Sequence, residues 1–271
     1  MLRTIFSRPT DSVPGRPMVA GRPACVPPGV CVYAIGDIHG RADLLEDLHG
    51  QICDDAAHLT PGTEKLVIYM GDYVDRGLES REVLDQLVYE PLRGFDVAHI
   101  LGNHDAWLLS FLVDASVGPN WLRYGGDATL HSYGVSLGAA INDPQYFQHL
   151  QAELRSRVAR EHVEFLQNLE LSYLVGDYFF VHAGVRPSIP LDKQHEDDLL
   201  WIREPFLTSG RDFGKVIVHG HTVDDRPMVR TNRIGIDTGA CWTGCLTCLV
   251  LEEGTFRFLN TAGAKLAETT R

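Results

Sequence analysis

"VCVYAIGDIHGRADLLEDLHGQI", residues 30–52, decides the fold. Its first seven residues are a short apolar run rich in β-branched side chains that stops at Gly36, the pattern of a buried strand. Beyond the polar cluster, Leu44, Leu45, Leu48 and Ile52 recur at helical spacing. The same order then repeats. "KLVIYMG" (65–71) is a second buried strand, followed by the helical "SREVLDQLVYE" (80–90). "FDVAHILG" (95–102) is a third, followed by the helical "DAWLLSFLV" (105–113). Strands alternating with helices predict parallel pairing through crossover helices. Their carboxyl ends then lie side by side, where open α/β sheets place ligands. Each of these ends is a glycine followed by polar residues: "GDIHG" (36–40), "GDYVDRG" (71–77) and "GNHD" (102–105).

Residues 114–170 read as mostly helical around the loop "LRYGGDATLHSYG" (122–134). The remainder turns β-rich. "LSYLVGDYFFV" (171–181) is a hairpin, because Gly176-Asp177 suits a tight turn. "KVIVHGHT", "RIGIDTG", "CLTCLVLE" and "TFRFLN" supply further strands. No internal repeat or compositional break divides the chain. The expectation is a single α/β domain over residues 30–260, with two packed sheets and outer helices. Residues 1–29 are read as a flexible Pro/Arg-rich tail and 261–271 as a C-terminal tail.

Composition narrows the function classes. Hydrophobic residues make up 44% and charged residues 22%, ordinary for a soluble domain. The formal net charge of −12 repels phosphate backbones, so DNA is not an expected partner. No apolar run approaches the roughly 20 residues that cross a bilayer, so no membrane partner is expected. Cys25, Cys31, Cys53, Cys241, Cys245 and Cys248 form no paired zinc-finger set, and no secretory apolar core precedes them. They read as reduced thiols, which predicts a cytoplasmic protein.

Two further clusters close strands of the second half, "VHAG" (181–184) and "VHGHT" (218–222). The candidate metal ligands are then Asp37, His39, Asp72, Asn103, His182 and His221. Carboxylate, imidazole and amide oxygen without thiolate is the donor set of a borderline-hard divalent ion. Six donors exceed what one tetrahedral zinc with an open position takes, but suit two ions with Asp72 shared. Two ions about 3.5–4 Å apart can acidify a bridging water and clamp the phosphoryl oxygens it attacks. Neither a Cys-x5-Arg loop nor a nucleotide P-loop is present.

The ordered set "GDIHG…GDYVDRG…GNHD…HAG…HGHT" resembles the signature of the phosphoprotein phosphatase family of binuclear metallophosphoesterases, in its bacterial branch. The resemblance covers roughly residues 32–240. It implies the metallophosphoesterase four-layer sandwich, two mixed β-sheets packed together with helices on the outer faces. It further implies that Asp37, His39, His221 and Asp72 hold one ion, and Asp72, Asn103 and His182 the other. The ions would be manganese, with iron or zinc as alternatives. His104 would be the general acid, oriented by Asp75, and Arg76 and Arg203 would bind phosphate.

The expected activity is hydrolysis of phosphoserine and phosphothreonine in proteins by direct attack of the activated water. The alternative is a symmetrical dinucleoside polyphosphate or RNA-cap hydrolase. The acidic total and the lack of an obvious basic–aromatic cluster favour the phosphoprotein. A phosphate-sensing module with a dead centre is disfavoured by the intact set. Trp201 and Trp242 read as packing residues, His219 as a backbone-positioning residue and Asp105 as a helix opener. Arg123 with Gly125 and Gly126 form either a structural turn or a loop over the substrate.

Overall fold

The computed structural model describes residues 15–138 and 144–263. Met18–Val19 (β1) and Arg22–Pro23 (β2) pair as a short antiparallel hairpin. The first large sheet is built from Val30–Ile35 (β3), Glu64–Tyr69 (β4) and Asp96–His99 (β5), all parallel. The second contains Ser172–Val175 (β6), Tyr178–Val181 (β7), Val216–His219 (β8), Met228–Val229 (β9) and Arg233–Gly235 (β10). Thr247–Glu252 (β11) and Thr255–Asn260 (β12) return to the first sheet, giving it the order β12-β11-β3-β4-β5. The second runs β6-β7-β8-β10-β9, with β7, β8 and β10 parallel. Both sheets are therefore mixed.

Alternation along β3 explains the layering. Cys31, Tyr33 and Ile35 enter the core beneath helices Ala42–Ala56 (α1), Ser80–Tyr89 (α2) and Asn103–Val113 (α3). Val32 and Ala34 point the other way, into a second core shared with Phe180, Val216, Val218 and Ile234 of the opposite sheet. A third cluster, with Phe179, Val181, Ile217, Leu199 and Phe206, covers the far face of the second sheet. Each fully buried aliphatic or aromatic side chain contributes about 1.5–3 kcal/mol, so three contiguous clusters account for a two-sheet sandwich. Two sheets face to face with helices outside is the expected architecture.

The middle region is helical as read: Gly118–Trp121 (α4), Asp127–Ser132 (α5), Tyr146–Arg157 (α6) and Arg160–Gln167 (α7). A π-helical turn over Leu122–Gly126 sits between α4 and α5. Two short helices, Glu196–Trp201 (α8) and Ala240–Thr243 (α9), lie in the second half.

Residues 15–29, read from the sequence as part of a flexible tail, are built into the fold. Residues 1–14, like 264–271, lie outside the described residues. From residue 16 the chain is docked: Val19, Ala24 and Val26 are buried against the inter-sheet core. The signal was hidden because small apolar residues between prolines carry no periodicity. Arg22 donates to both oxygens of Asp177, at 2.5 and 3.1 Å, and the Cys25 amide donates to one of them at 3.0 Å. The Arg22 guanidinium thus holds the Asp177 carboxyl down at about 2. A depressed carboxyl contributes stability above its unfolded pKa of about 3.9, and loses it as pH falls through about 2. Arg22 is more than half exposed, so solvent screens the ion pair and its share of the stability is small. Asp177→Asn is expected to cost about 1–2 kcal/mol in urea denaturation at neutral pH. Equal stabilities would mean that the hairpin docks by apolar contacts alone.

Candidate metal centre and active site

The carboxyl ends of β3, β4 and β5 meet those of β7, β8 and β10 at one edge of the sandwich. Asp37 and His39 follow β3, Asp72 to Arg76 follow β4, and Asn103 and His104 open α3 beyond β5. His182 follows β7, and His221 follows β8. The backbone there is strained. His39, Asp72, Asp75, Arg76 and His221 all have positive φ, at 47°, 53°, 72°, 69° and 61°. Non-glycine residues rarely adopt that region, and it persists where the surroundings over-determine it, as at functional sites. Gly102 lets two of these loops touch, since a Cβ there would lie 2.1 Å from Asp72 N.

Asp72 is the hub. Its Oδ2 is 3.4 Å from His39 Nε2 and 3.4 Å from His182 Nε2. The ligand atoms of His39, Asp72 and His104 lie within 4.8 Å of one another, and so do those of Asp72, His182 and His221. Asn103 Oδ1 joins the second group, 2.8 Å from His182 Nε2 and 2.8 Å from His221 Nδ1. Backbone carbonyls fix two of the rings: His39 Nδ1 donates to Val74 O and His182 Nδ1 to Met70 O, both at 2.9 Å. Each ring therefore turns an unprotonated Nε2 toward Asp72, the orientation that a metal ligand needs. Burial pushes His39 down to about 3 and His221 to about 2, and lowers His182, so these imidazoles are neutral. Burial raises the carboxyl of Asp72, but His182, His104 and His39 outweigh it and the net shift is downward.

The groupings differ from the sequence expectation, since His104 rather than Asp37 joins His39 and Asp72. His221 was expected beside Asp37 and His39, yet its ring stands with Asn103 and His182. The reason is topological: β7 and β8 are parallel neighbours, with Val181 opposite His219, so the residues just past them emerge together. Only the backbone of His221 meets Asp37, donating to Oδ2 at 3.0 Å.

His104 is held differently from the other rings. Its Nδ1 donates to Asp75 Oδ2 at 2.7 Å, and both groups are buried. Asp75 in turn accepts from Trp121 Nε1 at 2.9 Å and from Thr129 Oγ1 at 2.6 Å. Burial raises the Asp75 carboxyl, opposed by the bond from His104. Sequence reasoning missed Trp121 and Thr129, which are 46 and 54 residues from Asp75. Arg76 donates to His39 Nε2 at 2.7 Å and to His104 Nε2 at 2.9 Å. Its own amide donates to Gly125 O at 3.0 Å, so the glycine loop buttresses Arg76. Arg203 reaches the His221 carbonyl at 3.4 Å.

Asp105 does more than open α3. Its carboxylate accepts the amides of Asp72, Tyr73 and Gly102 at 2.8, 2.9 and 3.0 Å, which ties the β4 loop to the β5 loop.

Aromatic residues rim the centre. Trp242 is 64% exposed and stacks under the Arg76 guanidinium at 4.8 Å. Trp107 stands between His104, Tyr124 and Trp201, at 5.7, 4.9 and 5.0 Å. Arg76, Arg123, Tyr124, His131 and Trp242 line a groove of about 790 Å³. A basic–aromatic cluster therefore exists. It was invisible in the sequence because its members come from four separate segments.

Comparison with known proteins follows the geometry. A model of the calcineurin-like phosphoesterase family matches residues 32–244. An asymmetrical bis(5'-nucleosyl)-tetraphosphatase of Anoxybacillus flavithermus is 24% identical over 81% of this chain and 89% of its own. Serine/threonine-protein phosphatase 2 of Escherichia coli is 28% identical over 80% of this chain and 90% of its own. Among solved structures, one provisionally assigned as a diadenosine tetraphosphatase superposes with a TM-score of 0.60 at 21% identity, covering 88% of this chain and 98% of its own. A cold-active protein tyrosine phosphatase gives 0.57 at 20% identity, covering 87% and 81%. These two share the fold. No described helix is long and apolar enough to cross a membrane.

Proposed function

The chain belongs to the calcineurin-like phosphoesterase family, and from that premise we propose that it hydrolyses phosphate esters at the Asp72 cluster with two divalent ions. The observation that carries this reading is Asp72 Oδ2, equidistant at 3.4 Å from a ring nitrogen of each donor group. Asp37, His39 and Asp72 would hold one ion, and Asp72, Asn103, His182 and His221 the other. Manganese is the first candidate, with iron or zinc as alternatives. The residues fit such ions: Asp37 Oδ1 and His221 Nε2 are buried without a hydrogen-bond partner, and the imidazoles facing Asp72 are neutral. Bound there, the ions would supply an activated water and neutralise charge on the phosphoryl group. His104, oriented by Asp75, would donate a proton from Nε2 to the leaving oxygen once the Arg76 guanidinium, which now donates to that nitrogen, turns to the phosphate. Arg76 and Arg203 bring fixed positive charge to the non-bridging oxygens.

Two substrate classes suit this chemistry, phosphoserine or phosphothreonine in a protein and a bis(nucleosyl) polyphosphate. The groove favours the second. A phosphate at Arg76 has an exposed indole immediately beside it, and Tyr124 and Arg123 continue the wall. Flat bases stack on such surfaces, whereas a serine side chain gains nothing from them. Stacking is worth about 1–3 kcal/mol per base, so Trp242→Ala is expected to lower kcat/KM for diadenosine tetraphosphate by roughly 5–100-fold. The phosphoserine peptide, with no base to stack, is expected to lose little or nothing. Steady-state kinetics on diadenosine tetraphosphate, phosphoserine, phosphothreonine and phosphotyrosine peptides and an aryl phosphate, each with manganese, zinc and iron, test both statements. Faster turnover of the phosphoserine peptide would return the assignment to a protein phosphatase. No turnover of any of them would overturn the hydrolase reading.

A further inference from the structure

Each of the two groups that Asp72 joins has an arginine and an indole beside it. At the first group, Arg76 donates to His39 Nε2 at 2.7 Å, and its guanidinium lies 4.8 Å from the Trp242 ring. At the second, Arg203 reaches the His221 carbonyl at 3.4 Å, and the Trp201 ring stands 6.3 Å from the His221 ring. The two pairs come from separate parts of the chain. Trp242 lies in α9, whereas Trp201 closes α8 and Arg203 follows two residues later.

Trp201 is set in place by Trp107. Trp107 comes three residues after His104 in α3, so both side chains leave the helix on one face. Its ring is 5.7 Å from that of His104 and 5.0 Å from that of Trp201, inclined 56° to the latter. Tyr124 stands 4.9 Å from Trp107 and also lines the groove with Trp242. The aromatic rim therefore runs from the Arg76 side of the centre to the His221 side. Both ends of it stay open, Trp242 at 64% and Trp201 at 36% exposed. Apolar ring surface left in water forgoes the gain of burial, which a flat ligand laid on it restores.

One open indole beside an arginine serves a substrate with one base. Two of them, one at each donor group, match a molecule with phosphates in the middle and a base at each end. We infer that Trp201, backed by Trp107 and accompanied by Arg203, is a second nucleobase platform, so that the substrate is held at both ends across Asp72. The inference rests on the proposed reading of the groove as a site for bis(nucleosyl) polyphosphates. It adds the residue that tells a two-base substrate from a one-base substrate.

Two substrates with phosphate chains of equal length test it, diadenosine tetraphosphate with two bases and adenosine 5'-tetraphosphate with one. Wild type is expected to prefer the first by roughly 5–100-fold in kcat/KM, the worth of stacking one base. Trp201→Ala is expected to bring that preference to within about twofold of unity, while Trp201→Phe, which keeps a flat ring, should retain most of it. A tryptophan that only supports the fold would change both rates alike and leave their ratio untouched. No preference in wild type, or the wild-type preference in Trp201→Ala, would overturn the second platform. An equal loss on a phosphotyrosine peptide would also overturn it, since the shelf would then take any aromatic group. Turnover of a phosphoserine peptide with neither nucleotide cleaved would instead sink the polyphosphate reading itself. Trp201→Leu, apolar but without a flat face, gives the same readouts should the alanine variant not fold.

Discussion

Replacing His104 by alanine is expected to lower kcat by about 10²–10⁴-fold on substrates with poor leaving groups while leaving two ions bound. The geometry gives this ring one side for orientation and one for chemistry. Nδ1 is committed to Asp75 at 2.7 Å, and Asp75 is itself held by Trp121 and Thr129. Nε2, beside Arg76, faces the centre, where a leaving oxygen would need a proton. An alkoxide or a nucleotide phosphate departs badly without one, whereas nitrophenolate departs readily. The deficit of His104→Ala should therefore be large on a phosphoserine peptide or diadenosine tetraphosphate and small on p-nitrophenyl phosphate. Asp75→Asn should follow the same pattern more weakly, because the ring loses its anchor but remains. His104 also lies within ligand distance of His39 and Asp72, so the metal content of the variant is part of the test. Loss of one ion by elemental analysis, with equal deficits on all leaving groups, would make His104 a ligand and remove it from the acid role.

The parts of this site that the sequence disclosed share one form. Asp37, His39, Asp72, Asn103 and His182 each stand within four residues of the end of an apolar strand, after or before a glycine. Strand period and glycine punctuation are local signals, so the sheet, its parallel core and these residues could be read in order. What stayed hidden depends on tertiary contact. Trp121 and Thr129 reach Asp75 because α4 and α5 fold back over the β4 loop, and nothing near either residue announces it. The grouping of His221 with His182 depends on β7 and β8 being neighbours, which residue spacing does not state. Trp242, Tyr124, Trp107 and Trp201 become a rim only when four segments are brought to one edge. The docked segment from residue 16 was lost for another reason: Val19, Ala24 and Val26 are too few and too irregular to resemble an element, yet bury fully in a ready-made core.

Asp72→Asn is expected to abolish binding of both ions, and with them turnover, by at least about 10³-fold, since each ion supplies several kcal/mol of transition-state stabilisation. The substitution is nearly isosteric. The amide oxygen can still accept the His104 backbone N–H that now reaches Oδ1 at 2.9 Å, so the loop that carries φ +53° is expected to hold. What changes is charge. Asp72 is held below the usual carboxylate range, so its charge is the one that both groups of rings face. It is also shared, with Oδ2 as near to the His39 ring as to the His182 ring. Removing its charge therefore takes a ligand from each ion. Elemental analysis is the check: no bound ion is expected in the variant and two in wild type. Manganese should raise the melting temperature of wild type by mass action and leave that of Asp72→Asn unchanged. Two ions retained by Asp72→Asn would mean that Asp72 bridges nothing, and that the two donor groups are independent sites which merely share an edge.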